Sequence, residues 1–466
     1  SVRAMKRAIS TIVGTRRDWR LDRVRRPRLG PPSAAWIGPL AILASTLVGW
    51  FPFAGARGEE GSAALGLFVG SAAIVLMAWS FVLAVRLRWL EPIFGGLDRV
   101  YRAHRWTGAL AVAAMVLHTS LEPEVEGGIR GAPEGVAEAA TDLAGAAETM
   151  IYVLVALTVV RWFPYRFWRL THKLLGIPFA VACWHVFTAE KTYANTDPWG
   201  LWFNGIMVAG LVAFVVRVVG RDALLRGVRY RVVRAEPTAT TTELVLEPAG
   251  RPLDYEAGQF AFVKLQARGM SEPHAFTIAS HPSERHLRFF VRELGDWSRR
   301  LRVGDWAGTD VIVEGPYGHF RPTDPTASHT VWLAGGVGIT PFLAALGGLE
   351  PGPDRPTLVY AVRDRLGATA IEVLQRADAE GRIDLRVHAS AEGGRLTAEV
   401  FAGYLPDDAG DTHVAMCGPS GLIAEMAAVA RAAGVRHVET EDFDIRQGFG
   451  PDLSVPIDDL VARRGA

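Results

Sequence analysis

Two apolar runs of this chain each carry a histidine at both ends. Residues 104–118 read HRWTGALAVAAMVLH, and residues 172–185 read HKLLGIPFAVACWH. Burying an imidazole in an apolar helix is costly unless the ring has a partner, so four paired imidazoles constrain the fold more than any other feature. The two runs must form helices that bring these rings to something they can bind.

The two runs belong to a series of apolar segments in the first half of the chain. A helix needs about 20 mostly apolar residues to cross the hydrocarbon core of a membrane. Buried helices of a water-soluble protein are the alternative, but six such runs in succession favour a membrane. We expect crossings at about 35–53, 63–85, 104–121, 146–163, 172–188 and 199–219.

The character of the sequence changes after the sixth segment. Hydrophobic residues make up 49% of the whole chain, and long apolar runs concentrate them in residues 35–219. Residues 223–466 instead have the charged, Gly- and Pro-punctuated texture of a water-soluble protein. We therefore expect a membrane half followed by a water-soluble half.

Charge and cysteine content exclude several classes of protein. The formal net charge is +1, and the two cysteines, Cys183 and Cys417, exclude a disulfide framework. Residues 1–30 contain ten Arg or Lys against two Asp, which is typical of a disordered basic tail or of a helix on an anionic membrane surface. No motif supports nucleic-acid binding, and no short apolar core of a cleaved signal peptide follows directly.

Positive charge in the short loops predicts the orientation of the crossings. Arg residues are frequent between the second and third segments, between the fourth and fifth, and after the sixth. The alternate loops contain few, and residues 122–148 are acidic. By the positive-inside rule, the N-terminus and the whole soluble half lie in the cytoplasm, beneath the plasma membrane.

The histidines are expected at two matched depths. A rise of about 1.5 Å per residue separates the members of each pair by roughly 20 Å along the membrane normal. His104 and His118 share a helical face, whereas an ideal helix would point His172 and His185 apart. Gly176 and Pro178 lie between the latter two, and we expect this break to turn both rings inward.

Each depth can then hold a planar iron macrocycle between two axial imidazoles. A lone intramembrane histidine is more often a packing residue or part of a proton relay, and a His-relay proton channel remains an alternative. Zinc is disfavoured, because the pairs lack the compact ligand spacing and the additional Cys or carboxylates of zinc sites. Four histidines on two parallel helices favour two stacked haems.

The six segments with these histidine spacings resemble the membrane domain of NADPH oxidases and ferric reductases. The resemblance implies that His104 and His172 bind an inner haem, and that His118 and His185 bind an outer one. Together with the soluble half described next, it implies a six-helix all-α transmembrane haem bundle followed by a β-barrel FAD-binding domain and an α/β nucleotide-binding domain.

Residues 228–320 read as short strands separated by turns, as in a small antiparallel barrel: YRVVRA, TTELVLEP, QFAFVKLQ, LRFFVREL and VIVEGPYG. Within them, HAFTIAS (274–280) resembles the flavin-binding signature of the ferredoxin-reductase superfamily, with Ala275 where the oxidase variant has Pro. The resemblance implies that FAD is held by His274, Phe276, Thr277 and Ile278, with Thr277 near the reactive edge of the flavin. Similarly, FVRELGDWSRRL implies that Arg292 and Ser298 contact the pyrophosphate.

VWLAGGVGITPFLAAL (331–346) reads as a strand, a glycine-rich turn and a helix. Glycines let a backbone approach a pyrophosphate closely, although structural glycines are common. The superfamily resemblance implies a nucleotide site formed by Gly335, Gly336, Gly338, Thr340 and Pro341, and by Cys417, Gly418 and Pro419 at the nicotinamide. A buried core thiol is the alternative for Cys417.

Two further positions concern the nucleotide and the flavin ring. Arg363 follows the second strand of this domain, where a cation suits a 2′-phosphate, so NADPH is favoured over NADH unless Arg363 is an ordinary surface charge. In the superfamily an aromatic ring near the C-terminus can cover the flavin. Phe443 is our candidate, Phe449 competes with it, and a core phenylalanine is the alternative.

These inferences combine into four segments and one reaction. We expect a basic segment at 1–34, the membrane domain at 35–222, the FAD domain at 223–322 and the NADPH domain at 323–466. Electrons would pass from NADPH through FAD and both haems to extracytoplasmic oxygen, giving superoxide, with no obligatory protein partner. A ferric-chelate reductase and an electron-feeding module for a periplasmic repair enzyme are the alternatives. Thr277, Cys417 and Phe443 are the expected catalytic residues.

Overall fold

The computed structural model describes residues 35–54, 63–121, 125, 128–159, 165–220, 227–365 and 367–442. Within them, the first half of the chain is helical, apart from a two-stranded antiparallel ribbon of β1 (Ile129–Arg130) and β2 (Glu190–Lys191). The helices are α1 (Ile37–Val48), α2 (Ala63–Ala84), α3 (Glu91–Phe94), α4 (Leu97–Leu121), α5 (Glu134–Val159), α6 (Tyr165–Lys173), α7 (Gly176–Thr188) and α8 (Pro198–Val215).

Four helical stretches in the described residues are long and apolar enough to cross a membrane. They are Ala63–Ala84, Glu134–Val159, Phe167–Thr188 and Pro198–Val218. The first predicted crossing is a shorter apolar helix, Ile37–Phe53. The third, α4, is long but falls outside this set, because two histidines and several arginines lower its mean hydropathy.

Two helices begin earlier than the apolar runs predicted. α4 begins at Leu97 rather than at 104, and α5 begins at Glu134 rather than at 146. The added residues of α5 read EGVAEAATDLAG, about three turns, in which alanine and glutamate favour a helix without a long apolar run. Hydropathy marks where a helix enters lipid, and these two helices extend beyond that point.

The predicted break in the fifth crossing is present. α6 ends at Lys173, a turn follows, and α7 begins at Gly176 with Pro178 in its first turn. The ring of Phe214 from α8 occupies the space where a side chain at position 176 would lie. The missing side chain at Gly176 therefore lets α8 pack closely against the kink.

A six-stranded antiparallel sheet in the order β6-β5-β8-β3-β4-β7 follows the helices and closes around a core rich in Leu, Val and Phe. Its strands are β3 (Val228–Pro237), β4 (Thr241–Pro248), β5 (Phe260–Leu265), β6 (His274–Thr277), β7 (Leu287–Arg292) and β8 (Asp310–Tyr317). The sequence predicted five of these strands. The sixth is the four-residue HAFT segment, which is too short to have a recognisable alternation.

The last part of the chain is a parallel sheet in the order β11-β10-β9-β12-β13, with helices between its strands. The strands are β9 (His329–Gly335), β10 (Thr357–Val362), β11 (Asp384–Ala389), β12 (Thr412–Gly418) and β13 (His437–Asp442). The barrel carries one helix, α9 (Asp296–Val303). The helices of the parallel-sheet part are α10 (Thr340–Leu346), α11 (Ile371–Ala379), α12 (Ser390–Gly393), α13 (Ala398–Ala402) and α14 (Ser420–Ala432). The sheet reverses its strand order between β9 and β12, where doubly wound sheets bind ligands.

A buried ion pair joins the helical half to the barrel. Arg86, between α2 and α3, places Nη2 3.4 Å from Oε2 of Glu314 on β8, and its guanidinium lies 4.0 Å from the ring centre of Phe262. The side chains of Arg86 and Glu314 are only 2% and 15% exposed. Arg86 also has a φ of 62°, a strained value for a residue other than glycine. The backbone here is held by the contacts that its side chain makes.

Two further contacts extend this junction. The carboxylate of Glu91 on α3 accepts a 2.7 Å hydrogen bond from the backbone N–H of Gly318. Beside it, Leu90 and Phe94 share one apolar core with Phe262 and Tyr317 of the barrel. The two halves are therefore packed together rather than merely tethered.

The end of β13 approaches the same junction with an acidic side chain. Burial, and to a smaller extent the nearby carboxylates of Asp98, Glu439 and Glu91, together raise the pKa of Glu441 to about 8. In register, Glu441 lies opposite Cys417 of β12. The carboxyl group of Glu441 thus keeps its proton at neutral pH.

Replacing Glu314 by Gln should destabilise the chain, because the buried Arg86 loses its counter-charge while Tyr317 can keep its hydrogen bond. Breaking a buried ion pair from one side costs about 3–5 kcal/mol. The thermal unfolding midpoint in detergent measures this loss. Asp310→Asn is the control, since its pair with Arg231 is exposed and such pairs contribute about 0–1 kcal/mol. Equal midpoints for both variants would contradict the buried pair.

Replacing Glu441 by Gln should make the stability of the chain fall less steeply as the pH rises. The folded chain holds a proton on Glu441 up to about pH 8, whereas an unfolded chain releases it near its ordinary value, so wild-type stability falls between the two. Glu439, whose pKa burial raises to about 7, leaves a smaller slope in the variant. Unfolding midpoints from pH 5 to 9 test this, and identical slopes in both proteins would refute it.

Candidate functional site

The four histidines lie on α4, α6 and α7. His104 and His118 are one above the other on α4, while His172 closes α6 and His185 lies in the last turn of α7. The ring centres of His104 and His172 are 6.1 Å apart, with their planes at 79°. Two imidazole nitrogens about 2 Å from a shared metal would place their ring centres about 6 Å apart. One metal atom therefore fits between these two rings.

His118 and His185 are the second predicted pair. The ring of His118 packs against α2 at Gly70, where an added methyl carbon would lie 2.6 Å from Nδ1. Glycine at position 70 therefore makes space for the ring. Within the described residues, no group of three or more His, Cys, Asp or Glu could hold a metal ion, so a compact zinc-type site is not found there.

Backbone carbonyls of α2 fix the proton on both histidines of α4. Nδ1 of His104 lies 2.9 Å from the carbonyl oxygen of Ser80 and 2.9 Å from its hydroxyl. Nδ1 of His118 lies 2.9 Å from the carbonyl oxygen of Gly66. A carbonyl oxygen can only accept a hydrogen bond, so Nδ1 of each neutral ring carries the proton.

Threonines of α5 do the same for the other two histidines. Oγ1 of Thr158 lies 3.2 Å from Nδ1 of His172, and Oγ1 of Thr141 lies 3.4 Å from Nδ1 of His185. Each threonine donates its own proton to the carbonyl four residues earlier, at 2.9 and 3.0 Å respectively. A threonine that donates there leaves its oxygen to accept, and Nδ1 of the histidine is then the donor.

The contacts of all four histidines suit the same tautomer. With the proton on Nδ1, the lone pair is on Nε2, which is the form that binds a metal. Among the described residues, no hydrogen bond reaches Nε2 of any of the four. These rings fit two axially ligated haem groups.

A short series of contacts leads from the inner pair to the barrel. The ring of Trp168 stacks on His172 at 5.3 Å and 24°. The next residue, Arg169, forms a 3.2 Å ion pair with Glu272, and Glu272 lies 3.8 Å from His274 at the start of β6. Strand β6 is thereby held beside the helix that carries His172.

The side chains of β6 suit an aromatic cofactor. His274 packs against Trp297 at 4.4 Å, and Phe276 stacks on the same indole at 5.7 Å. Oγ1 of Thr277 is buried and has no hydrogen-bond partner among the described residues. A buried hydroxyl of this kind lacks the partner that folded proteins normally provide, and a flavin can provide it. Ile278 is fully buried next to it.

The two residues expected at the pyrophosphate differ in availability. Arg292, at the end of β7, is exposed. The hydroxyl of Ser298 accepts hydrogen bonds from the backbone N–H groups of Leu294 and Gly295, at 2.9 and 3.0 Å, at the start of α9. In this structure, Ser298 therefore stabilises its own helix, and only Arg292 has a side chain directed to solvent.

The glycine-rich turn lies where the parallel sheet reverses its strand order. Gly336 has a φ of +56°, which favours glycine. Side chains at Gly335 and Gly338 would meet Pro419 and the backbone of Cys417. The turn after β9 and the end of β12 are therefore in contact, with Gly418 between them. Thr340 and Pro341 are buried at the start of α10.

The remaining expected residues differ in accessibility. Cys417 is fully buried in the core beneath the turn, so its thiol does not reach the surface of the described structure. Arg363 follows β10 and is exposed. Its neighbour Arg365 is held by a 2.9 Å bond to Glu392. Phe443 and Phe449 lie outside the described residues.

Sequence reasoning missed the residues behind the histidines. Gly66 and Ser80 are separated by fourteen positions, the same spacing as His104 and His118, because α2 and α4 run antiparallel in contact. That matched spacing was the sequence feature that could have indicated Gly66 and Ser80. Nothing in the sequence indicated Thr141, Thr158 or Trp168, since hydroxyls and indoles are common in apolar helices.

Two family models match separate parts of the chain. A ferric reductase like transmembrane component matches residues 69–183, and an FAD-binding domain matches residues 230–321. The first match includes His104, His118 and His172 and ends just before His185. The second includes the whole of β6.

Several curated proteins are similar to this chain. The probable cell surface ferric reductase kap2 of Aspergillus oryzae is 24% identical over 379 residues, which are 74% of this chain and 48% of that protein. Human dual oxidase 1 is 31% identical over 143 residues, 28% of this chain and 9% of that protein. The chain thus spans about half the length of the first relative and less than a tenth of the second.

Solved structures align with about half of the chain. The flavohem-like FAD/NAD binding domain of nitric oxide dioxygenase from Vibrio cholerae is 23% identical and covers 47% of this chain and 99% of that one, with a TM-score of 0.42. With its ferric-reductase-like transmembrane component, FAD-binding domain and similar relatives, the chain is a homologue of the ferric reductases and NADPH oxidases, which are flavoprotein oxidoreductases.

Proposed function

We propose that this protein transfers electrons across a membrane, from NADPH through FAD and two b-type haems to oxygen, with superoxide as the product. The observation that carries the proposal is the arrangement of the four paired histidines. Nδ1 of every ring lies within hydrogen-bond distance of an oxygen of α2 or α5, and the ring centres of the inner pair are 6.1 Å apart, which suits one metal atom.

Each pair of imidazoles would hold one haem. His104 and His172 would ligate the inner group, and His118 and His185 the outer one, each through Nε2. When bound, the nicotinamide supplies a hydride, the flavin divides it into single electrons, and the haem irons accept them one at a time. Two haems are needed because tunnelling slows exponentially with distance, and the hydrocarbon core is about 30 Å thick.

The contacts around β6 support a flavin beside the inner pair. Thr277 would donate its buried hydroxyl to the flavin edge, while Phe276 and His274 would flank the ring system. Arg169, through Glu272, holds this strand against α6. In this arrangement the chain keeps the donor and the first haem at a fixed separation.

The nucleotide would bind at the reversal point of the parallel sheet. The glycine-rich turn lets the backbone approach the pyrophosphate, and the exposed guanidinium of Arg363 suits a 2′-phosphate, which supports NADPH over NADH. Backbone groups of Cys417, Gly418 and Pro419 would line the nicotinamide side. Phe443 would cover the flavin, as in the superfamily that the sequence resembles.

The proposed domains keep the limits inferred from the sequence, with membrane residues at 35–222 and nucleotide residues at 323–466. The arginines near the ends of α2, α4 and α6 support a cytoplasmic dehydrogenase half in the plasma membrane. The residues described above would then receive NADPH inside the cell and deliver electrons outside it.

With oxygen as the acceptor, the histidine ligands favour superoxide as the product. Two imidazoles per haem would leave neither iron open, so oxygen would take one electron at the haem edge and leave as superoxide. A ferric-chelate reductase is the second candidate. It is favoured by the similarity to a probable cell surface ferric reductase and by the exposed acidic residues Glu134, Glu138 and Asp142 on α5, which would attract cations.

Replacing His118 by Ala should abolish superoxide output and spare reduction of FAD by NADPH, because only the outer haem loses a ligand. Superoxide-dismutase-sensitive cytochrome c reduction measures the output, and flavin bleaching measures the first step. His286→Ala, at an exposed position, is the control. Unchanged output in the His118 variant would remove this residue from the ligands.

The same assay separates the two candidate acceptors. A ferric reductase would oxidise NADPH under nitrogen when a ferric chelate is added, and would produce little superoxide in air. An oxidase would need oxygen and would respond weakly to the chelate. NADPH oxidation that depends on the chelate alone would overturn the oxygen assignment while retaining the transmembrane path.

Replacing Thr277 by Val should weaken flavin retention or slow flavin reduction, since the side-chain shape is kept and only the hydroxyl is lost. One hydrogen bond is worth about 0.5–1.5 kcal/mol, which corresponds to roughly a threefold to tenfold change. Bound FAD per chain and the rate of flavin reduction by NADPH are the measurements. Thr242→Val is the control, as Thr242 is also buried in the barrel. Normal values in the Thr277 variant would contradict this placement of the flavin.

A further inference from the structure

The oxygens that face Nδ1 of the histidines differ in kind within each pair. His104 and His118 donate to carbonyl oxygens of α2, which belong to the backbone and stay in place whatever side chain is present. His172 and His185 instead donate to the hydroxyls of Thr158 and Thr141 on α5. One ligand of each pair therefore depends on a side chain for its orientation.

The threonine hydroxyls are placed to accept from the histidines. Oγ1 of Thr158 lies 2.9 Å from the carbonyl oxygen of Leu154, and Oγ1 of Thr141 lies 3.0 Å from that of Ala137, and each can donate to it. A hydroxyl has a single proton, so a threonine that donates to this carbonyl leaves its oxygen to accept from Nδ1 of the imidazole. In that arrangement, Thr158 and Thr141 hold the proton on Nδ1 and leave Nε2 with its lone pair.

We infer that Thr158 and Thr141 are positioning residues, which set the tautomer, the ring orientation and the electron-donating strength of one axial histidine in each pair. This inference rests on the proposed haem function. A hydrogen bond from Nδ1 makes an imidazole a stronger electron donor to a metal, and loss of such a partner typically weakens metal binding about 10- to 100-fold.

The two threonines are expected to differ in effect. The Thr158 contact is shorter, at 3.2 Å, and is partly buried, whereas the Thr141 contact is 3.4 Å and exposed. Water can replace a lost partner at an exposed contact but not readily at a buried one. The inner pair should therefore respond more strongly to substitution than the outer pair.

The helix supplies its own control. Thr149 also lies on α5 and donates to the carbonyl four residues earlier, Gly145, at 3.2 Å, but it is exposed and contacts no histidine in the described structure. Thr149→Val removes the same hydroxyl from the same helix.

The test uses the full chain, purified with its cofactors, in four variants: Thr158→Val, Thr158→Ser, Thr141→Val and Thr149→Val. Haem transfer to excess apomyoglobin measures retention, and a potentiometric titration of the absorption spectrum measures the two haem potentials. In Thr158→Val we expect release about tenfold faster and an upward shift of one potential. Thr158→Ser should restore both values, and the control variant Thr149→Val should match wild type.

The outcomes separate this inference from the proposed function. If wild type binds two haems and Thr158→Val equals Thr149→Val in release and potential, the positioning role is overturned while the haem function stands. If wild type binds no haem, the proposed function itself fails. Bound FAD reports folding of each variant, and should Thr158→Val fail to fold, Thr158→Ala against Thr158→Ser decides by the same two measurements.

Discussion

The position of one proton on each of four imidazoles is the constraint on which the helical half depends. A neutral histidine can offer a metal only the nitrogen that lacks the proton. Here carbonyl oxygens of α2 hold the proton on Nδ1 of His104 and His118, and the threonines of α5 are placed to do so for His172 and His185. The helix arrangement follows from this requirement: α2 must lie directly behind α4, and α5 behind α6 and α7.

The same arrangement connects the membrane half to the barrel. Within one turn of α6, Trp168 contacts the ring of His172, and Arg169 reaches Glu272 beside β6. On the other side, the buried pair of Arg86 and Glu314 closes the junction. Because electron transfer falls steeply with distance, these contacts matter more to a redox chain than to a protein that only needs to stay folded.

Much of this could be predicted from the sequence, and the limits have physical causes. Histidine spacing, the Gly176 break, five barrel strands and the glycine-rich turn follow from periodicity and from the special backbones of glycine and proline. The early starts of α4 and α5 were missed because hydropathy indicates which residues suit lipid and not where a helix begins. The carbonyl oxygens beside Nδ1 were missed because every residue has a backbone carbonyl. The threonine hydroxyls were missed because hydroxyls are common in apolar helices.

The individual roles at the flavin and the nucleotide remain predictions. Thr277 has the buried hydroxyl that its expected role requires, whereas Ser298 already caps its own helix and Cys417 is enclosed in the core. The absorption spectrum of the purified full chain, with a count of haem per polypeptide, tests the central claim most directly. The account predicts two low-spin b-type haems, each with two histidine ligands. A chain that stays colourless in the Soret region after expression with abundant hemin would contradict it.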